Sequence, residues 1–221
     1  MKNTDVLYWR DILGTSASIW TILQMLSPVP TCYYFIRKKT VGDMIVTPYA
    51  VALTSCTLWL IYGIIINDYT IVKVNTIGAT LQFSYTFCYY IHCTKKNDVR
   101  KQLGIGFLTI VTAFFYSMNE KNMSRLVTVF GLLCSIVTVL FFVSPLANMR
   151  YVIRVWNSES LPRLLIATTF IVSLQWFLYG YITNDGYIMI TNFLGTLLSS
   201  LQLAMMFIIP RDSSVKYVST V

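Results

Sequence analysis

The chain has 221 residues, of which 56% are hydrophobic and only 12% charged. A soluble domain carries about 25% charged residues, so this composition excludes an ordinary water-soluble globule and puts most of the surface against lipid. The net charge of +8 is scattered through short connections rather than gathered into a stripe, so no nucleic-acid partner is needed to explain it.

A membrane-spanning helix needs about 20 mainly apolar residues. The pattern predicts seven, at 11–35, 44–66, 70–92, 103–118, 126–148, 164–183 and 187–209, the fourth being the shortest and least clearly bounded. Lys2, Asp5 and Arg10 precede the first span without an apolar core and small-residue cleavage site, so that span reads as an uncleaved signal-anchor. A short tail, 210–221, follows the last. Twelve basic residues fall on one side of this arrangement, among them Arg37, Lys38, Lys39, Lys95, Lys96, Arg100, Arg150, Arg154 and Arg211, and five on the other. The positive-inside rule then predicts an outside amino terminus and a cytoplasmic tail. The five cysteines, Cys32, Cys56, Cys88, Cys93 and Cys134, lie in or at the ends of spans without a CxxC, which supports neither a disulfide framework nor a metal site.

An internal repeat runs through this pattern at an offset of 117 residues. Ser27-Pro28 returns as Ser144-Pro145, and Tyr34, Ile36 and Arg37 return as Tyr151, Ile153 and Arg154. Trp59-x-x-Tyr62-Gly63 returns as Trp176-x-x-Tyr179-Gly180, Asn67-Asp68 as Asn184-Asp185, and Asn75-x-x-Gly78 as Asn192-x-x-Gly195. Gly14 and Gly131 keep the same register. Apolar bias could align Leu with Leu, but not Trp, Asn, Asp, Pro and Gly together. The copies, 11–92 and 126–209, hold three spans each. Three is odd, so the extra span at 103–118 is needed for both to point the same way. The expected fold is an all-α membrane protein of seven transmembrane helices. Two parallel three-helix bundles are joined by a linker helix (3+1+3), a plan found in transporters.

Pro28 and Pro145 sit inside the first and fifth spans; Pro48 and Pro162 sit at the starts of the second and sixth. A proline removes a helix hydrogen bond and kinks the helix. Four at one depth, two per copy, read as hinges around a pathway; the alternative is ordinary kinks and helix starts.

At this point the residues resemble a known family. Ser27-Pro28-Val29-Pro30, Gly42-Asp43, Pro48-Tyr49, Leu58-Trp59-Leu60-Ile61-Tyr62-Gly63 and Val74-Asn75-Thr76-Ile77-Gly78 are similar to the first half of the SWEET (MtN3/saliva) sugar transporters. Ser144-Pro145-Leu146, Ser160-Leu161-Pro162, Gln175-Trp176-Phe177-Leu178-Tyr179-Gly180 and Ile190-Thr191-Asn192-Phe193-Leu194-Gly195 resemble the second half. The resemblance covers nearly all of 10–210, and the short tail is of the animal type.

The resemblance implies a role for specific residues. Pro28, Pro48, Pro145 and Pro162 fall on the family's proline tetrad, Asn75 and Asn192 on its paired sugar-binding asparagines, and Trp59 and Trp176 on the aromatic positions flanking the sugar. Neutral amides both donate to and accept from sugar hydroxyls, and indoles stack on sugar faces. The alternatives are asparagines bonding between packed helices and tryptophans of an interfacial belt. Both asparagines fall only about five residues inside the outer ends of their predicted spans, shallower than the midplane site expected of carriers. Ser55, one turn before Trp59, either shapes the pocket or bonds to its own helix. Tyr62, Tyr179, Gly131 and Asp185 resemble outer-gate positions; the alternative is interface tyrosines and a solvated loop acid. Gly78 and Gly195 are expected to permit close helix approach.

No acid lies deep in a predicted span, and no nucleophile, metal or nucleotide motif occurs. The resemblance implies sugar transport, and with no buried acid the expected function is facilitative uniport of a mono- or disaccharide by alternating access, without catalysis, metal or cofactor. A proton-coupled PQ-loop-type carrier and a seven-helix receptor are the rivals. The expected surroundings are the bilayer of the plasma membrane or the Golgi, with a homo-oligomer compatible with the family. Asn122-Met123-Ser124 is a glycosylation sequon on the predicted outer side.

Overall fold

The computed structural model describes residues 3–211 and is helical throughout. It divides into two compact units, Met1–Thr138 and Val139–Val221. The first holds α1 (Asn3–Met25), α2 (Val29–Lys38), α3 (Thr47–Ile65), α4 (Tyr69–His92), α5 (Lys96–Asn119) and all but the last two residues of α6 (Met123–Leu140). The second holds α7 (Val143–Val155), a 3₁₀ turn at Ser158–Ser160, α8 (Arg163–Ile182) and α9 (Gly186–Ile208). Lys2, Lys216 and all but the first two residues of the expected tail lie outside the described residues.

Four expected spans agree with helices to within three residues: α3, α4, α8 and α9. The other three differ for physical reasons. The expected fourth span, 103–118, is the apolar part of α5, which begins at Lys96 with two polar turns that hydropathy reads as loop. The expected first span is two helices, α1 and α2, separated by a turn at 26–28. The expected fifth is α6 and α7, separated by a turn at 141–142. Both breaks lie against the repeated Ser-Pro.

Among the described residues, six segments are long and apolar enough to cross a membrane: Leu7–Lys38, Thr47–Ile65, Lys96–Asn119, Met123–Val155, Arg163–Ile182 and Gly186–Ile208. The expected span at 70–92 is not among them. Its helix, α4, has 24 residues, ample length at 1.5 Å each. Lys73, Asn75, Gln82, His92 and its many hydroxyls lower its apolarity. It is also the helix that packs against most others in its unit, with α3, α1 and α2 all leaning on it. A helix covered by protein can carry polar groups that a lipid-facing one cannot. Elsewhere Phe207, Leu164, Ile105 and Phe107 are largely exposed, as a lipid-facing surface requires.

The repeat is visible in burial and in backbone. Tyr62 and Tyr179 are fully enclosed, as are Ala17 and Cys134, and Ile71 and Ile188 are nearly so. Two pairs of non-glycine residues share the left-handed backbone region, Lys39 with Trp156 and Asn67 with Asn184. Each unit also has a core near the loop that follows its proline-broken helix. Phe35, Val41, Val46, Tyr89 and Val99 form one; Val152, Leu161, Ile166 and Ile209 form the other. Phe35 and Val152 are themselves repeat partners.

The helix break at Pro28 leaves backbone carbonyls without their usual donors. Tyr85 donates its hydroxyl to the Met25 carbonyl at 3.1 Å, so one exposed acceptor is covered by a neighbouring helix, as the membrane interior demands. Pro48 stands in the first turn of α3, and Pro162 caps α8. Those positions have no intrahelical donor to lose.

Candidate functional site

Each unit builds the same helical hairpin, α3–α4 in the first and α8–α9 in the second. Its corner explains the repeated Asn-Asp. Asn67 adopts φ 56° and Asn184 φ 55°, a conformation Asn tolerates better than most residues. Asn67 N–H donates to Ile64 O at 3.2 Å and Asp68 N–H to Gly63 O at 2.9 Å. In the second hairpin Asn184 N–H donates to Tyr181 O at 3.3 Å and Asp185 N–H to Gly180 O at 2.8 Å. This pair of bonds is the Schellman end of a helix. The aspartate then starts the next helix. Asp68 Oδ1 accepts from Thr70 and Ile71 N–H at 2.9 and 3.2 Å. Asp185 Oδ1 accepts from Tyr187 and Ile188 N–H, both at 3.0 Å. Asp185, read from sequence as a gate or a solvated loop acid, is an N-cap.

Glycine sets how closely the hairpin arms approach. A Cβ on Gly63 would lie 2.9 Å from Ile71 Cγ2, and one on Gly180 would lie 2.6 Å from the Met189 backbone nitrogen. Gly78 and Gly195 repeat this one level further in. A Cβ on Gly78 would meet Met25 Cε at 2.8 Å and Cys56 Sγ at 2.9 Å, and one on Gly195 would meet Ser173 Cβ at 3.2 Å.

These contacts fix the register. With Gly63 opposite Ile71 and Gly78 opposite Cys56, Trp59 on α3 stands level with Asn75 on α4. With Gly180 opposite Ile188 and Met189, and Gly195 opposite Ser173, Trp176 on α8 stands level with Asn192 on α9. Each asparagine is six residues into its helix, about 9 Å from the end at 1.5 Å per residue. That is close to the shallow depth expected from the sequence.

The side chains follow the same symmetry. Asn75 Nδ2 donates to Ile71 O at 2.9 Å, and Asn192 Nδ2 donates to Ile188 O at 2.9 Å. These bonds run to the asparagine's own helix rather than across to a neighbour. One amide N–H of each is thus occupied, and a second N–H and a carbonyl oxygen remain in each amide. Trp59 and Tyr62 rings meet edge to face at 5.5 Å, and Trp176 and Tyr179 at 5.3 Å. The Trp59 indole N–H donates to Thr138 Oγ1 at 3.0 Å, and the Thr138 hydroxyl donates to Cys134 O at 2.8 Å. The first indole is therefore tied to α6 within its unit. Trp176 is buried. Tyr62 and Tyr179 are fully buried too.

The remaining expected positions fall as follows. Ser55 is buried on α3, one turn before Trp59. Gly131 is buried on α6, and its carbonyl accepts the Ser135 hydroxyl at 2.8 Å; Gly14 does the same for Ser18 at 2.7 Å. Pro28 and Pro145 lie at the two helix breaks, and Pro48 and Pro162 at helix starts. His92 Nδ1 lies 2.8 Å from the carbonyl of Cys88, one turn back on its own helix. Among the described residues no cluster of His, Cys, Asp or Glu could hold a metal ion.

Sequence reasoning missed Thr138, and missed the hairpin role of Gly63, Gly180 and the Asn-Asp pairs. The signal was present: Thr138 is the repeat partner of Thr21, and the others recur at the same offset.

The comparisons with known proteins carry the same symmetry. The sequence profile of a family described as "Sugar efflux transporter for intercellular exchange" matches twice, at 11–97 and 128–214, and the two matches are themselves 117 residues apart. The chain is 41% identical to Sugar transporter SWEET1 of Drosophila pseudoobscura pseudoobscura over 92% of its length and 91% of that protein. It is 31% identical to Bidirectional sugar transporter SWEET7b of Oryza sativa subsp. indica, over 98% of its length and 83% of that protein. A solved structure of a eukaryotic SWEET transporter superposes with TM-score 0.79 at 26% identity, covering 91% of this chain and 96% of that one.

Proposed function

Because this chain belongs to the SWEET (MtN3/saliva) family, a family of sugar transporters and not of enzymes, we propose that it is a facilitative uniporter. It moves a mono- or disaccharide across its membrane by alternating access. It is an integral, multi-pass membrane protein, and we assign it to the plasma membrane or the Golgi. The proposed layout is 3+1+3, with α5 as the linker between parallel copies.

The observation that carries this reading is the duplicated, uncharged Trp–Asn level. Each copy offers the sugar an amide with unused donor and acceptor capacity and an aromatic face beside it. Asn75 and Trp59, with Ser55, serve from the first copy, and Asn192 and Trp176 from the second. Hydroxyls find partners at the amides, and the C–H faces of the ring stack on indole. The aspartates nearest this level, Asp68 and Asp185, are each bonded to two backbone N–H groups as helix caps. Both are engaged in the backbone of the hairpin corner, and this structural role favours the passive reading. Tyr62, Tyr179, Gly131 and Asp185 line the outer gate. The four prolines serve as hinges, with Pro28 and Pro145, at the helix breaks, bending most.

Uptake of a panel of labelled mono- and disaccharides into reconstituted vesicles tests the mechanism. Flux should follow the sugar gradient alone and be indifferent to ionophores that collapse proton and sodium gradients. Accumulation against the sugar gradient, lost on adding an ionophore, would refute uniport and favour a proton-coupled carrier. The charge asymmetry of the loops motivates an outside amino terminus. An epitope placed after Val221 should accordingly be reached by antibody only after permeabilisation; labelling of intact cells would reverse the orientation.

A further inference from the structure

Within the first unit, a groove of about 600 Å³ runs between α4 and α5 with α3 as its floor. One wall is Phe83 and Phe87, whose rings stack nearly parallel (9°) at 6.3 Å. The opposite wall is α5. There Arg100, Leu103, Gly104, Phe107 and Ile110 line the groove at the three- and four-residue spacing of a single helix face. Leu53 and Thr54 close the bottom. Phe83, Phe87 and Phe107 are all more than half exposed, so the groove opens outward along its length.

The two glycines of α5 in this groove differ. A Cβ on Gly106 would run into the Thr54 hydroxyl, whereas a Cβ on Gly104 would meet nothing within 4 Å. Gly106 is needed to seat α5 on α3. Gly104 has no packing reason to be glycine. A glycine inside a helix is less favourable than alanine, and what this one preserves is open groove.

One end of the groove is apolar and the other is cationic. At the cationic end Arg100 Nε donates to the Tyr90 hydroxyl at 3.3 Å, and the Lys96 ammonium lies 5.4 Å from the centroid of the Tyr90 ring. Tyr90 thus holds two positive charges at the mouth. Both side chains are solvent-exposed, and neither is in an ion pair among the described residues. They stand on the first turns of α5, whose exposed N–H groups add positive potential. Asp98 lies between them in sequence, but it points roughly half a turn away from Arg100 on the helix and is not part of the lining.

We propose that this groove is a binding site for one anionic phospholipid. An acyl chain lies between the Phe83/Phe87 stack and Phe107, over Gly104, and the phosphate sits at Arg100 and Lys96. The charge at one end and the apolar trough at the other match the two halves of such a lipid, and the outward opening of the groove would face the bilayer that supplies it. The proposal rests on the chain being a membrane protein and is independent of the sugar reading.

Native mass spectrometry of the purified full chain, with added phosphatidylglycerol or phosphatidylcholine of matched chains, tests it. The wild-type chain should retain one phosphatidylglycerol in preference to phosphatidylcholine. Arg100→Gln should lower that preference roughly fivefold, and Lys96→Gln/Arg100→Gln should lower it further, from the electrostatic worth of each cation near a lipid surface. Gly104→Leu fills the trough with a better helix former and should lose both lipids, while Gly104→Ala should keep them. Since Arg100 and Lys96 are exposed, their variants read headgroup choice without challenging the fold. Undiminished phosphatidylglycerol retention in Gly104→Leu, or an unchanged preference in the double variant, would overturn the proposal. So would a dimer mass abolished by Gly104→Leu, which would give the groove to a second copy.

Discussion

The most stringent consequence of the hairpin geometry is a difference in sign between two glycine-to-alanine substitutions. Gly180→Ala places a methyl 2.6 Å from the Met189 nitrogen and 2.9 Å from its Cα. Ordinary contact begins at 3.4 Å, so α8 and α9 must part by about 0.8 Å at this level. The obstacle is backbone and cannot rotate away. Overpacking of this kind costs about 1–3 kcal/mol, of which the better helix propensity of alanine returns about 1 kcal/mol. The net loss spans about 0–2 kcal/mol, and the rigid backbone obstacle puts it at the upper end, about 2 kcal/mol or roughly 4–8 °C in melting temperature for a chain of this size. Gly63→Ala meets first a side-chain methyl, Ile71 Cγ2 at 2.9 Å, and should lose less. Gly104→Ala meets nothing and should gain the propensity term. The five cysteines are all free, and four of them are buried, so a thiol-reactive dye reports unfolding without added probes. Midpoints should rank Gly104→Ala above wild type, then Gly63→Ala, then Gly180→Ala. A Gly180→Ala midpoint at or above wild type would refute the close-approach argument, and with it the register that puts Trp176 level with Asn192.

The paired amides give a second expectation. Asn75→Ala and Asn192→Ala should each weaken sugar binding roughly tenfold, since a lost hydrogen bond costs about 0.5–1.5 kcal/mol and an unpaired hydroxyl more. Trp176→Phe should bind better than Trp176→Ala because it keeps an aromatic face, with His92→Ala as an unaffected control; sugar binding to the purified Asn75→Ala/Asn192→Ala double variant at wild-type strength would move the site elsewhere. Pro28→Ala and Pro145→Ala restore a backbone donor beside each helix break and should slow transport turnover while surface expression persists. Normal turnover in both would reduce the breaks to packing features.

The division between what was readable in this sequence and what was not follows from period and polarity. α3, α8 and α9 are bounded by sharp changes in polarity, and their ends were legible to within a few residues. α5 was read too short because Lys96, Asn97, Asp98, Arg100, Lys101 and Gln102 are helical but wet, and hydropathy measures wetness, not backbone. The breaks after Met25 and Leu140 were read as hinges or kinks inside continuous spans, because a proline signals disturbance without its size. The repeat exposed the motif residues, but motif identity hid their division of labour. Asn67 and Asp68 are conformational and Gly63 and Gly78 steric, while Asn75 and Trp59 are the groups we propose meet the sugar. Buried positions also diverged in identity while keeping their place. Val74 pairs with Thr191, Cys56 with Ser173, and Tyr85 with Gln202, all buried. A match by residue type misses such pairs, whereas a match by offset finds them.

The end of α9 carries a mechanical consequence. Ser158 N–H donates to the Pro210 carbonyl at 3.0 Å, the Ser158 hydroxyl reaches the same oxygen at 3.3 Å, and Arg211 Nη2 meets Glu159 Oε1 at 2.8 Å. The chain leaving the last helix is thereby buckled to the turn that precedes α8. A pull on the chain at Arg211 is shared with that turn before it reaches the last residue of α9, Ile208. A load there enters the second hairpin by two routes, at the start of α8 and at the end of α9, rather than by α9 alone.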